Sequence, residues 1–194
     1  MKTGDRVSCK KLRIAGFLAM ASAILGIPLV ILSYHFSDSK DLTPIVLLTV
    51  MQLAGLCLFT YLYSFLKRFL NLRFSFQQTD NYIDFLVTTN IFVALAGISG
   101  YFLTALREPL ELFSLLLIIS FGTVQLLFGI KLLQLSDSLQ GMLKPFCYLS
   151  ILTGIFIATI VLLPIASLTG AIADVMLGTI FFQASESPEE LDAE

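Results

Sequence analysis

The chain has 194 residues, 57% of them hydrophobic and 13% charged, with a formal net charge of −2. Soluble domains carry about 25% charged residues, so these charges cannot cover a water-facing surface, and lipid is the solvent most of the side chains require. No basic face is large enough for a phosphate backbone, which excludes nucleic-acid binding.

A helix crossing about 30 Å of hydrocarbon needs about 20 apolar residues, and in lipid its backbone groups must be satisfied within the segment. Lys10, Lys11 and Arg13 precede an apolar run from Ile14 to Ser33. That run exceeds the apolar core of a signal peptide, about 7–15 residues, and reads as an uncleaved first span, Ile14–Tyr34. The second span is predicted over Pro44–Leu66, the third over Phe85–Leu106 and the fourth over Leu110–Leu133. Pro44 and Pro109 suit first-turn positions, where a missing N–H costs nothing.

The last apolar region, Pro145–Phe182, is too long for one span and barely long enough for two. Pro164, Ser167, Thr169 and Gly170 predict a break there. A fifth span then ends near Leu163–Leu168 and a sixth near Phe182. The sixth also reads as a short re-entrant helix, and that alternative stays open. The fold class is an all-α polytopic transmembrane bundle, six helices as three antiparallel hairpins. A segment 1–13 precedes the membrane domain 14–183, and an acidic tail, 184–194, follows it.

Orientation is set by lysine and arginine. Lys2, Arg6, Lys10, Lys11, Arg13, Lys67, Arg68, Arg73, Lys131 and Lys144 fall on one side, and only Lys40 and Arg107 on the other. This predicts a cytoplasmic N-terminus and, with six spans, a cytoplasmic tail, in the plasma (inner) membrane. The tyrosines at 34, 61, 63, 82, 101 and 148 lie near predicted span ends, where an amphipathic ring sits at headgroup level.

Few groups suggest chemistry. Ala15, Ala19 and Ala23, spaced by four, let helix backbones approach closely, as do Ser22 with Gly26 and Ala96 with Gly100. Gln125 shares a face with Gly122 and Gly129, Gln52 lies near Gly55, and Asn90 follows Thr88 and Thr89. Buried amides are expensive in hydrocarbon, so these should face the bundle interior, either bonding between helices or lining a polar path. Asp174, between Gly170 and Gly178, is the one acid well inside an apolar run. From a turn at 164–170 its depth is roughly 6–12 Å. The four residues Asp174, Gln125, Gln52 and Asn90 form the candidate intramembrane polar site.

The stretch from Phe65 to Phe76 interleaves Lys67, Arg68 and Arg73 with aromatics and leucines. It is expected to lie in the headgroup plane as a lipid or partner contact. Asp80 and Asp84 suit the N-terminus of the third helix. Cys9, Cys57 and Cys147 are widely spaced and read as free thiols, with lipidation at Cys9 or Cys147 left open. With His35 as the single histidine, no metal site is expected. No Ser–His pair, H-E-x-x-H or P-loop is present, so neither enzyme activity nor a cofactor is expected. Short glycine-containing echoes at Gly26, Gly97 and Gly154 carry no family resemblance.

The residues therefore point to an integral membrane protein without enzymatic activity, a scaffold or accessory subunit of a membrane complex. Its partners would be the bilayer and a membrane protein or a second copy of itself. The alternative is a small transporter or channel-like protein with a polar path near Asp174.

Overall fold

The computed structural model describes residues 9–36, 42–102, 107–135 and 141–186. The acidic tail beyond Glu186, Lys2, Arg6, Lys40 and the end of the predicted third span, 103–106, lie outside the described residues, as do the side chains of Tyr34, Tyr101 and Arg107.

Six helices follow one another: α1 (Cys9–His35), α2 (Leu42–Phe74), α3 (Asp80–Phe102), α4 (Arg107–Leu133), α5 (Leu143–Ala158) and α6 (Leu163–Glu186). No strand occurs among the described residues. All but α5 are long and apolar enough to cross a membrane. The chain is thus an all-helical, multi-pass integral membrane protein. Each helix packs on its neighbours in sequence, and α6 closes the ring against α1. Two ends of the bundle are distinguished below. The basic end carries Lys10, Lys11, Arg13, Lys67, Arg68, Arg73, Lys131 and Lys144; at the far end α1, α3 and α5 finish and α2, α4 and α6 begin.

Proline in a first turn explains the helix starts and corrects one boundary. Pro44, Pro109, Pro145 and Pro164 all fall within the first three residues of α2, α4, α5 and α6. Their missing N–H groups belong to positions that have no intrahelical acceptor anyway. The break expected at Pro164–Gly170 therefore lies earlier, after Ala158. Ile160 takes a positive φ of 58° there, and the Leu163 amide donates back to the Ile160 carbonyl. Residues 164–170 are helical. The shortened span is α5, with 16 residues, about 24 Å long. The sixth helix has 24 residues, long and apolar enough to cross a membrane.

The second correction concerns α2, which does not stop at Leu66 but runs on to Phe74, 33 residues and about 50 Å. The basic-aromatic stretch continues the span instead of lying flat. Leu66, Phe69 and Leu70 fall on one helical face, and that face is buried in the bundle. Phe65 and Phe69 meet Phe181 of α6 edge to face, at 5.3 and 5.9 Å between ring centroids. This face packs in the bundle, while Leu72 of the same stretch stays exposed.

The closest approaches join hairpins to one another. A Cβ on Gly154 of α5 would stand 2.5 Å from the Leu126 amide nitrogen of α4, and one on Gly122 would stand 2.5 Å from that of Ala158. Only glycine permits this contact, in which backbone meets backbone and dispersion substitutes for the missing hydrophobic drive between helices in lipid. On the other flank Gly178 of α6 rests on Gly16 and Ala19 of α1. The alanine stripe Ala15, Ala19 and Ala23 is buried by this packing.

The core is concentrated toward the basic end. Leu62, Leu66, Leu70, Ile83, Leu86, Phe128, Leu132, Leu177 and Phe181 are almost wholly buried. Beyond Ala23 on α1 and before Gly122 on α4, no described residue is buried.

Candidate functional site: a polar cluster at mid-membrane

Asp174 stands eleven residues past Leu163, about 16 Å along α6. Moving the α5–α6 break toward the N-terminus places it deeper than the 6–12 Å expected from sequence. Ser22 lies midway along α1, and its hydroxyl donates to Asp174 Oδ2 at 2.7 Å. The close α1–α6 packing at Gly178 and Ala19 brings the two backbones near enough for these short side chains to meet. A carboxyl group in hydrocarbon is costly unless paired, and the serine meets part of that requirement.

A second pair joins α2 to α4. Gln125 and Tyr63 are both buried. The Gln125 amide Nε2 donates to the Tyr63 hydroxyl at 3.1 Å, and that hydroxyl lies 3.4 Å from Oε1 of the same amide. Phe59 stacks on the Tyr63 ring at 4.2 Å, and Phe128 packs at 6.1 Å. Ser22, Asp174, Tyr63 and Gln125 thus gather groups from four helices around one level of the bundle.

The other two candidates sit elsewhere. Gln52 is half-buried with its Nε2 3.0 Å from where a Cβ on Gly97 would be, so it covers the α2–α3 contact toward the far end. Asn90 is half-buried on α3, next in sequence to the buried Thr89. Gly122 and Gly129, expected to share Gln125's surroundings, face α5 instead. Asp174 and Gln125 therefore each pair with a partner on another helix, while Gln52 lies at the α2–α3 contact and Asn90 belongs to neither pair. A further hydroxyl pair, Thr153 to Thr169 at 3.0 Å, links α5 with α6.

No family model, curated protein or solved structure matches this chain. Its site must be read from geometry.

Two members of the cluster escape a sequence reading. Tyr63 falls near the expected end of the second span and so reads as a headgroup tyrosine. Its spacing to Phe59, Leu66 and Leu70, at four, three and seven residues, is the signal that places it on the buried face. Ser22 reads as part of a small-residue stripe; its value as a donor appears only once α6 closes against α1.

At the basic end Lys67 and Arg73 of α2 are engaged by their own fold. Lys67 donates to both Asp84 oxygens at 2.7 Å, an exposed pair worth about 0–1 kcal/mol. Asn71 donates to Asp80 Oδ2 at 2.9 Å. Asp80 and Asp84, expected at the start of the third helix, are there and also tie α3 to α2. Arg73 lies over the rings of Phe69 and Phe74 at 5.8 and 5.9 Å, within cation–π range. Arg68 is exposed. Cys9, Cys57 and Cys147 carry no disulfide, and burial of Cys147 closes it to lipidation.

Proposed function

We propose that this membrane protein acts without catalysis, as a scaffold or accessory subunit, with its basic end in the cytoplasm. The observation that carries this reading is the mutual engagement of the intramembrane polar groups. Asp174 is met by Ser22 and Gln125 by Tyr63, so their hydrogen-bonding capacity goes to helix register instead of a solute. Toward the basic end, Leu62, Leu66, Phe128 and Phe181 fill the space next to these pairs. Interhelical hydrogen bonds of this kind are each worth about 0.6–2 kcal/mol in a membrane. The partner would be a membrane protein contacting the exposed helix faces, or a second copy of the chain. The cytoplasmic side follows from the lysine and arginine asymmetry.

One observation favours a second reading, small-solute or proton-coupled transport. An acid at mid-depth, hydrogen-bonded to a hydroxyl, is the minimal form of a proton-exchanging group. Reconstitution of the purified protein into sealed vesicles under a pH gradient separates the two. The scaffold reading expects proton flux equal to that of empty vesicles, for wild type and Asp174→Asn alike. Flux above background that Asp174→Asn abolishes would overturn it in favour of transport.

A further inference from the structure

Lys67 and Arg73 of α2 are engaged within the fold, but a different feature lies open at the basic end. An open cleft of about 590 Å³ lies between α3 and α4, lined by Gln78, Asn81, Tyr82, Phe85, Val124 and Lys131. That size is ordinary for a small-molecule site, about 300–1,000 Å³. Its lining is ordered by depth. Gln78 lies two residues before α3 and Asn81 is in its first turn, while Lys131 is in the last turn of α4. These three polar groups therefore share the level of the basic end. Phe85 on α3 and Val124 on α4 both lie seven residues deeper than their polar counterparts Gln78 and Lys131, about 10 Å toward the membrane centre. Tyr82 sits between, with an apolar ring and a polar tip, the form that prefers the headgroup boundary.

We propose that this cleft binds a single anionic glycerophospholipid from the leaflet at the basic end. Its phosphate is held by the Lys131 ammonium and the amide donors of Gln78 and Asn81, and one acyl chain follows Phe85 and Val124. The charge is complementary: the lining holds one cation and no carboxylate. Asp80 and Asp84 on the same helix are turned to Asn71 and Lys67 of α2. The polar-to-apolar order matches a lipid standing along the membrane normal. A free phosphate would use only the mouth, and the apolar half would contribute nothing to it. A zwitterionic lipid brings its own headgroup cation, which competes with Lys131 for the phosphate and leaves the positive charge of the cleft uncompensated. Such a lipid would bridge α3 and α4 where their own contacts leave the cleft open. It would do so whether the protein is a scaffold or a transporter.

The test is native mass spectrometry of the delipidated protein in detergent, titrated with phosphatidylglycerol or with phosphatidylcholine of the same acyl chains. Wild type is expected to retain one phosphatidylglycerol at concentrations where phosphatidylcholine is not retained. Lys131→Gln should lower that occupancy about fivefold, the effect of one basic group at a membrane surface. Lys11→Gln, an exposed cation on α1, should leave it unchanged. Val124→Trp keeps the charge and fills the apolar half, so it should lower occupancy as well. Circular dichroism and melting temperature confirm that each variant is folded. Equal retention of the two lipids would overturn the proposal, as would unchanged occupancy in Lys131→Gln. Displacement of the lipid by millimolar inorganic phosphate would reassign the cleft to small anions.

Discussion

On α4, Gly122, Gln125, Phe128, Gly129 and Leu132 are all buried, whereas from Leu110 to Phe121 on the same helix no residue is. The first two helices repeat the contrast, whereas α3 and α6 keep small buried residues, Ala94, Ala96, Ala166 and Thr169, in the far half. On α1 the buried positions end at Ala23; on α2 only Leu48 is buried before Leu62. The basic half is locked by large side chains interdigitating across the ring, with Phe59, Phe65 and Phe69 of α2 reaching to α4 and α6. The far half exposes Ile24, Ile27, Ile31, Val46, Val50, Leu112 and Leu116. In water such a half-bundle would collapse. In lipid an apolar side chain gains little from leaving its solvent, so a loosely packed half carries no large penalty. Packing quality is therefore found where shape and polar pairing demand it, and Asp174 lies at the border between the two regimes.

Substitutions can break or sharpen that contrast. The largest effect is expected from Phe128→Ala in the basic half. It removes a fully buried ring from contact with Tyr63 and leaves a cavity. A loss of about 2–3 kcal/mol follows, below the 3–5 kcal/mol of water-soluble cores because part of the transfer term is absent in lipid. Reversible denaturation in mixed detergent micelles measures it; a loss under 0.5 kcal/mol would mean the basic half is no tighter than the far half. Tyr63→Phe comes next, at about 1 kcal/mol, because the ring packing survives but the Gln125 amide loses its partner. In that variant, added replacement of Gln125 by Leu should recover much of the loss, and failure to do so would show that the pair is not energetically coupled. The smallest effect is expected from Leu116→Ala, 58% exposed in the far half. Its change should stay within about 0.5 kcal/mol. A larger loss in native membranes than in detergent would reveal a partner seated on that face.

Much of this architecture is legible from residue order alone. Six helices, their antiparallel sequence and four of the spans follow from apolar run length, and the proline starts at Pro44 and Pro109 are readable by the same rule that later accounts for Pro164. That rule was outweighed at residues 164–170 by neighbouring Ser167, Thr169 and Gly170, which look like a turn yet serve the helix. Ser167 and Thr169 donate back to the carbonyls of Pro164 and Ala166. The length of α2 was hidden for a different reason. Lys67, Arg68 and Arg73 signal the end of the hydrocarbon but not of the helix, which continues because α3 and α6 offer a surface to Leu66, Phe69 and Leu70. The candidate site was half legible. Asp174 and Gln125 stand out as polar groups in apolar runs, whereas Ser22 and Tyr63 become visible only through the neighbours that tertiary packing assigns them.

The brevity of α5 also bears on the bilayer itself. A helix of about 24 Å beside partners of 36 Å and more presents hydrophobic mismatch on one flank only. The glycine contacts with α4 hold α5 in place, and local thinning of the bilayer is one way such a short span is met. Each ångström of mismatch costs a fraction of a kcal/mol, so the protein would act as a local thinning wedge. It would gather with short-chain lipids and favour membranes thinner than the average, a sorting preference written into the length of one helix.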